Sequence, residues 1–177
     1  MKTTDADWNM LDCLAPIILN NVKNGCIVDI GIGPSTRVLL KHSQALKREH
    51  YSCDKKENRC DWAREIGVPN VFFGRSLDFI KQFPKTPVAL AFIDGAHAYE
   101  IAIQETKFFL KKLAPGGVIF LHDTYPPFDR LKNCGDVWKI RQEMEKSNIQ
   151  TFTWPYTAVE RGLTMLMKKL TGAYYMR

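Results

Sequence analysis

Residues 26–36 read Cys26-Ile27-Val28-Asp29-Ile30-Gly31-Ile32-Gly33-Pro34-Ser35-Thr36, and their order decides the fold. Five residues, apolar but for Asp29, suit a parallel strand buried on both faces. Gly31 and Gly33 follow at once, letting the backbone turn tightly and approach a ligand closely. Ser35 or Thr36 is then placed to cap a helix by accepting a free amide proton of its first turn. Asp29 stands beside the turn, where a carboxylate meets a cationic group or a donor and repels a pyrophosphate. The third glycine of the dinucleotide fingerprint is missing, since Ser35 or Thr36 occupies its place. Glycine pairs after strands also form plain strand-to-helix turns, so the rest of the chain has to decide.

Outward from this turn, strands and helices alternate. Val38, Leu39 and Leu40 belong to a helix ending near Ala45, and His50 to Cys53 is a second strand with Asp54 at its end. Asn58 to Ile66 is a helix closed by Gly67 and Pro69, and Val71 to Phe73 a third strand. Gly74-Arg75-Ser76 turns into a brief helix, Leu77 to Phe83, for which Ser76 is the expected cap. Val88 to Ile93 is an unbroken apolar run ending in Asp94-Gly95-Ala96-His97. Tyr99, Ala102, Ile103, Thr106, Phe109 or Leu110, and Leu113 mark a helix stopped by Pro115-Gly116-Gly117. Val118 to Leu121 then runs into His122-Asp123 as the fifth strand.

Tyr125 to Gly135 has no periodicity and is long for a connection, the pattern of a lid or binding loop. Asp136 to Lys146 is a helix with Val137, Ile140 and Met144 inward. Ile149 to Trp154 and Gly162 to Met167 have no helix between them, so they form an antiparallel pair, and Trp154 to Arg161 is a second rim loop. Toward the N-terminus, Trp8, Leu11, Leu14 or Ala15, Ile18 and Val22 recur at helical spacing, giving a helix over residues 5–23 with Pro16 as a potential break. The expectation is an α/β protein: a Rossmann-like three-layer sandwich on a mostly parallel sheet with a C-terminal antiparallel strand pair. It is read as one domain over residues 1–177, an N-terminal helical segment (1–24) on a core (25–177).

The 177 residues are 45% hydrophobic and 25% charged, ordinary for a globular domain with a substantial core. Lys and Arg number 25 against 19 Asp and Glu, a net charge of +6. The cations are scattered, with one loose cluster at Lys47-Arg48, Lys55-Lys56, Arg59 and Arg64; solvated faces are favoured over a nucleic-acid surface. Five cysteines without C-x-x-C spacing fit small buried thiols of a reducing compartment, Cys13, Cys26 and Cys53 among them. There is no long apolar run and no leader-like start, so a cytoplasmic protein without membrane attachment is expected.

In a parallel sheet, ligands bind beyond the carboxyl ends of the strands. Those ends carry Asp29 with Gly31 and Gly33, Asp54, Gly74 to Ser76, Asp94 with His97, and His122 with Asp123. Asp54 comes about twenty-five residues after the first strand's acid, where a carboxylate accepts hydrogen bonds from ribose hydroxyls. Each has a bland alternative: a helix cap, a loop anchor or an ordinary surface histidine. All of them falling on one rim is harder to attribute to chance.

Two stretches carry a more specific likeness. Ile93-Asp94-Gly95-Ala96-His97-Ala98-Tyr99-Glu100 and Leu113-Ala114-Pro115-Gly116-Gly117-Val118-Ile119-Phe120-Leu121-His122-Asp123 resemble the Asp-Gly-x-His-x-Tyr and Pro-Gly-Gly…His-Asp signatures of class I S-adenosylmethionine-dependent methyltransferases. The similarity runs from about Cys26 to Thr124, in a compact branch with cephalosporin hydroxylase-like and sugar O-methyltransferases. It implies that Asp29, Gly31, Gly33, Ser35 and Thr36 line the methionine and ribose part of S-adenosylmethionine, with Asp94 beside it. Asp54 would take the ribose hydroxyls, and Gly74, Ser76 and Leu77 would lie by the adenine. It also implies acids after the fourth and fifth strands that hold a divalent cation such as Mg2+, here Asp94 and Asp123 with His122, although His122 stands where some relatives have a carboxylate.

The expected chemistry is O-methylation of a small-molecule hydroxyl. Transfer from a sulfonium rests mostly on positioning, and the hydroxyl must lose its proton. His97 is the first candidate base, its ordinary pKa being near neutrality, with His122 second and Asp94 beside them. Two other readings stay open, a nicotinamide-dependent oxidoreductase and a cofactor-binding module without turnover. The acceptor carries no motif; a small molecule or a pocket completed by a homodimer fits so short a chain.

Overall fold

The protein is described by a computed structural model covering residues 6–125, 134–154 and 161–169, with side chains from Trp8 onward. Its strands are β1 (Cys26–Ile30), β2 (His50–Asp54), β3 (Asn70–Phe73), β4 (Val88–Ile93), β5 (Leu113–His122), β6 (Ile149–Trp154) and β7 (Leu163–Lys168). The helices among the described residues are α1 (Ala6–Asn21), α2 (Pro34–Ala45), α3 (Glu57–Glu65), α4 (Ser76–Gln82), α5 (Tyr99–Lys112) and α6 (Trp138–Glu145). One sheet takes the order β3-β2-β1-β4-β5-β7-β6. The first five strands run parallel, while β7 is antiparallel to both β5 and β6.

That last reversal matters for the site. Leu163, the first residue of β7, pairs with His122, the last of β5, and also with Trp154, the last of β6. The start of β7 therefore joins the carboxyl ends of β1 to β5 on one rim.

Side-chain alternation along the central strands sorts the core into two layers. Val28, Ile30, Ala91, Ile93, Ile119 and Leu121 face a cluster containing Phe109 of α5 and Ile140 and Met144 of α6. Ile27, Leu90, Phe92, Val118 and Phe120 face the other way, onto Leu11, Ala15 and Leu19 of α1 and Leu39 of α2. Each fully buried large side chain contributes roughly 1.5–3 kcal/mol of transfer free energy, which pins the strand tips in register.

Helix α1 is tied down at its end by Arg48, whose guanidinium donates to the carbonyls of Leu19, Val22 and Gly25. The Leu19 carbonyl is one that a helix terminus leaves without a partner, and those of Val22 and Gly25 belong to the connection to β1. Asp12 adds an ion pair to Lys41 (2.9 Å) and a hydrogen bond with His42 (2.7 Å) of α2.

Several expectations change in detail. The first helix runs unbroken through Pro16, since proline removes one hydrogen bond without forcing the chain out of the helix when its fixed φ is already helical. Its inward stripe uses Ala15 and Leu19, Ile18 being half-buried. Cys13 is exposed rather than buried; Cys26 and Cys53 are buried. Helix α2 is capped by Gly33, not by Ser35 or Thr36, and α4 starts at Ser76 with Arg75 in the cap position and no side-chain cap bond. Strand β5 begins at Leu113, paired with Val88 before a register shift. Of the two candidate rim loops, residues 126–133 and 155–160 lie outside the described residues. No helix among the described residues is long and apolar enough to cross a membrane.

Candidate active site

The rim encloses a cavity of about 750 Å³, a size typical of small-molecule sites. Its wall includes Ile30 and Gly31 after β1, Cys53 to Lys56 after β2, Gly74 to Leu77 after β3, Asp94 to His97 after β4, and His122 and Asp123 after β5. Trp8, Arg59, Ile101 and Arg161 complete it.

The first turn works differently from its reading in sequence. Asp29 is fully buried, and its carboxylate accepts the hydroxyls of Thr36 (2.5 Å) and Ser35 (3.4 Å). Thr36 in turn accepts the Gly33 N–H at 2.9 Å. Asp29, Ser35 and Thr36 thus lock the first turn of α2 onto β1, and none of them, nor Gly33, is on the cavity wall. Burial pushes the Asp29 carboxyl up to about 7, against the pull of the Thr36 hydroxyl. The placement has a simple cause: the alternation of β1 points Asp29 into the layer beneath the helix, and sequence spacing does not reveal which face that is.

Gly31 does reach the cavity. Its φ is +96°, and a Cβ there would stand 2.2 Å from the Asp94 carbonyl oxygen. The tips of β1 and β4 touch backbone to backbone at this point, which only glycine permits.

Asp54 lines the cavity and also builds the wall. One oxygen accepts the Ile32 N–H (3.0 Å) and faces Arg59 (3.3 Å), and the other accepts the Lys56 N–H (2.8 Å). A carboxylate has about four lone-pair sites, so acceptor capacity remains for a ligand hydroxyl. Gly74, Ser76 and Leu77 form the adjacent wall. Behind Ser76 stands Glu105 of α5, fully buried, with neither oxygen accepting a well-formed hydrogen bond. Burial raises its carboxyl to about 7, and the Ser76 hydroxyl offsets this only in part.

On the other side four titratable groups converge. His122 Nδ1 is 3.2 Å from Asp94 Oδ1 and 3.3 Å from Asp123 Oδ1. His97 Nε2 is 3.1 Å from Asp123 Oδ2 and 3.7 Å from Asp94 Oδ1. Burial works against ionisation of Asp94, but the imidazoles of His122 and then His97 outweigh it and hold the carboxyl at about 2. Asp123 is buried in a left-handed backbone conformation (φ 61°), which costs about 1–2 kcal/mol outside glycine and aims the side chain sharply off the end of β5. Its Oδ2 is buried without an aligned hydrogen-bond donor.

Ligand atoms of Asp94, His97 and Asp123 all lie within 4.8 Å of one another. This trio can hold a cation: two hard carboxylates, one imidazole and an oxygen short of a donor. His122, expected beside Asp94 and Asp123, meets both acids through Nδ1 and stacks on Trp8, with centroids 4.9 Å apart and planes at 19°.

Segments distant in sequence fix these groups. The Asp136 carboxylate accepts the Tyr99 N–H (2.6 Å), and the Asp136 N–H donates to the His97 carbonyl (3.1 Å), clamping the turn that carries His97. Tyr125 N–H donates to the Arg161 carbonyl at 3.0 Å and Thr124 N–H to that of Gly162 at 3.3 Å. Trp8 and Arg161 were not among the candidate site residues, because one sits in a helical stripe and the other at the end of a loop without a motif.

The profile of a family described as "Methyltransferase domain" matches residues 28–124, more than half of the chain. Among solved structures, cofactor-bound Rv0187 from MTB superposes with a TM-score of 0.74 at 15% identity, covering 97% of this chain and 83% of that one. An O-methyltransferase from Bacillus cereus in complex with SAH gives 0.73 at 17% identity, covering 94% and 83%. The SAH-bound Podospora anserina methyltransferase gives 0.71 at 15%, covering 95% and 80%. At such identities the likeness is one of fold. Among curated proteins, none matches the sequence significantly.

Proposed function

Because the chain belongs to the methyltransferase-domain family, we propose that it moves the methyl group of S-adenosylmethionine to the hydroxyl of a small molecule. The class I S-adenosylmethionine-dependent fold is shared with the cofactor-bound and SAH-bound structures above. The observation that carries the hydroxyl reading is the convergence of Asp94, His97 and Asp123 in the same cavity as Asp54 and the Gly74 to Leu77 turn.

In this reading the ribose hydroxyls donate to Asp54, the adenine lies against Gly74, Ser76 and Leu77, and the methionine end runs along Gly31 toward Asp94. An ionised Asp94 favours the positive sulfonium and amino groups of the donor. The acceptor hydroxyl faces the trio. Its oxygen forms the new bond to the methyl carbon as the sulfur–carbon bond breaks, leaving S-adenosylhomocysteine. The proton passes to the His97 imidazole at the ring nitrogen facing away from the acids, and the carboxylates of Asp94 and Asp123, which face Nε2, hold the proton there and stabilise the imidazolium.

Asp94, His97 and Asp123 also fit a divalent cation such as Mg2+, which when bound would acidify the hydroxyl. A ring nitrogen facing two carboxylates carries either a proton or a metal ion, and these three residues serve either case.

Calorimetric titration with S-adenosylmethionine, followed by turnover on a panel of hydroxyl compounds with and without a chelator, tests the reading. His97→Ala is expected to keep cofactor affinity and lose turnover by roughly 10²–10⁴-fold. Loss of activity on chelation, restored by Mg2+ or Mn2+, assigns the trio to a cation. Undiminished turnover in His97→Ala would remove the proposed chemistry, and absence of cofactor binding would remove the donor.

A further inference from the structure

Arg161 has no part in the chemistry so far, and its position is informative. It lies just before β7, on the cavity wall beside Asp123 and on the side of the sheet away from β2 and β3. Its side chain is 36% exposed, and its sole ion pair among the described residues is a long one, 3.8 Å from Nη1 to Asp123 Oδ1. That oxygen already faces His122 Nδ1 at 3.3 Å and the Cys134 thiol at 3.6 Å. A guanidinium has five N–H donors, and among the described residues one distant contact is all that engages them.

The position is not incidental, because the backbone around it is clamped. Tyr125 donates to the Arg161 carbonyl. Gly162 adopts φ +82°, and a Cβ there would come within 2.5 Å of Tyr125 Cβ. Lys55, Lys56, Arg59 and Arg75 line the other half of the cavity, and among the described residues Arg161 is the cation on the half that carries His97 and Asp123; there, facing the acceptor's end of a positively charged donor, it is unfavourable by itself. An anion brought in by the second substrate reverses the sign. We propose that the acceptor is a hydroxy acid whose carboxylate pairs with Arg161, so that Arg161 is the residue selecting acidic over neutral acceptors. Arg161 and His97 address the two oxygens of the same Asp123 carboxylate, so one small molecule spans both. The Trp8 ring, stacked on His122 at the same wall, gives a planar surface against which a flat acceptor lies.

This inference rests on the methyltransferase reading, and the experiment separates the two. With S-adenosylhomocysteine bound, calorimetry compares 3,4-dihydroxybenzoate with 3,4-dihydroxybenzamide, and an aliphatic hydroxy acid with its amide, on the wild type, Arg161→Gln and Arg161→Lys. The expected result is at least a tenfold preference of the wild type for the acid of a pair. Arg161→Gln should abolish that preference and leave the amide and S-adenosylmethionine affinities unchanged, while Arg161→Lys restores part of it. Equal binding of acid and amide by the wild type, a preference that survives in Arg161→Gln, or cofactor binding with no binding of any hydroxy acid overturns the proposal. Failure to bind S-adenosylmethionine at all points instead to the underlying reading, and a thermal midpoint shared by the variants shows that folding is intact.

Discussion

The two halves of the cavity are made in different ways. The half at the tips of β1, β2 and β3 is organised by backbone turns, Gly31 and Gly74 to Leu77, with Lys55, Lys56, Arg59 and Arg75 along it and one acid, Asp54, that serves the wall as much as a ligand. The half at β4, β5 and β7 is mostly side chains, with His97, His122, Asp94 and Asp123 in mutual contact and Trp8 and Arg161 delivered from opposite ends of the chain. A surface of backbone suits a ligand that stays the same, since it is fixed by the fold. A surface of side chains on remote segments can be changed one residue at a time, which suits the partner that differs between relatives.

The strongest test of this contrast is Gly31→Ala. The new Cβ would meet the Asp94 carbonyl at 2.2 Å and Gly95 Cα at 2.9 Å, on a residue at φ +96°. The tips of β1 and β4 would have to separate, at a cost of about 3 kcal/mol from left-handed strain and overpacking together. Loss of S-adenosylmethionine binding and a fall in unfolding free energy of that order, measured by denaturant titration, are expected. Retained cofactor affinity would show that the turn is not the donor's seat.

Asp54→Ala separates the halves more gently. It removes acceptors for the Ile32 and Lys56 amides as well as for the ribose. Hydrogen bonds to a charged group are worth about 1.5–3 kcal/mol, so the dissociation constant for S-adenosylmethionine should rise by roughly 10- to 100-fold. The acceptor's KM at saturating cofactor should not move. A parallel rise in both would mean that the halves do not act independently.

The same contrast explains what could be read from the sequence. The backbone half announces itself through glycines after apolar runs, and the order of strands follows from alternation with helices. The acids and imidazoles at strand ends were visible because strand ends were. What escaped was direction: Asp29 lies one residue before the end of β1 and turns beneath α2, toward Ser35 and Thr36. Placement across the chain escaped too. Trp8 reads as one more apolar residue of an amphipathic helix, and its arrival at His122 depends on Arg48 and Asp12 docking α1 on the sheet.

A smaller effect probes how the backbone half is supported. Glu105 is buried behind Ser76 with no cation partner among the described residues, and its carboxyl is raised from 4.5 to about 7. An acid whose folded pKa lies above its unfolded one costs no stability below about 4.5, an increasing amount as pH rises toward 7, and a constant amount beyond. The shift corresponds to about 3 kcal/mol at full ionisation. His50 opposes this trend in the same window: burial lowers its imidazole to about 4, so its penalty grows as pH falls below 6.5. The difference between variant and wild type cancels His50. Glu105→Gln should therefore be more stable than the wild type at pH 8, by about 1–2 kcal/mol after the buried amide's own cost, and lose that advantage at pH 4.5. Unfolding curves at the two pH values measure it directly, and an advantage that does not change with pH would mean that Glu105 ionises in the fold as it does in the unfolded chain, reached by water. Because Ser76 is on the cavity wall, the same variant should leave hydroxy-acid binding untouched, the wall it supports belonging to the donor's half alone.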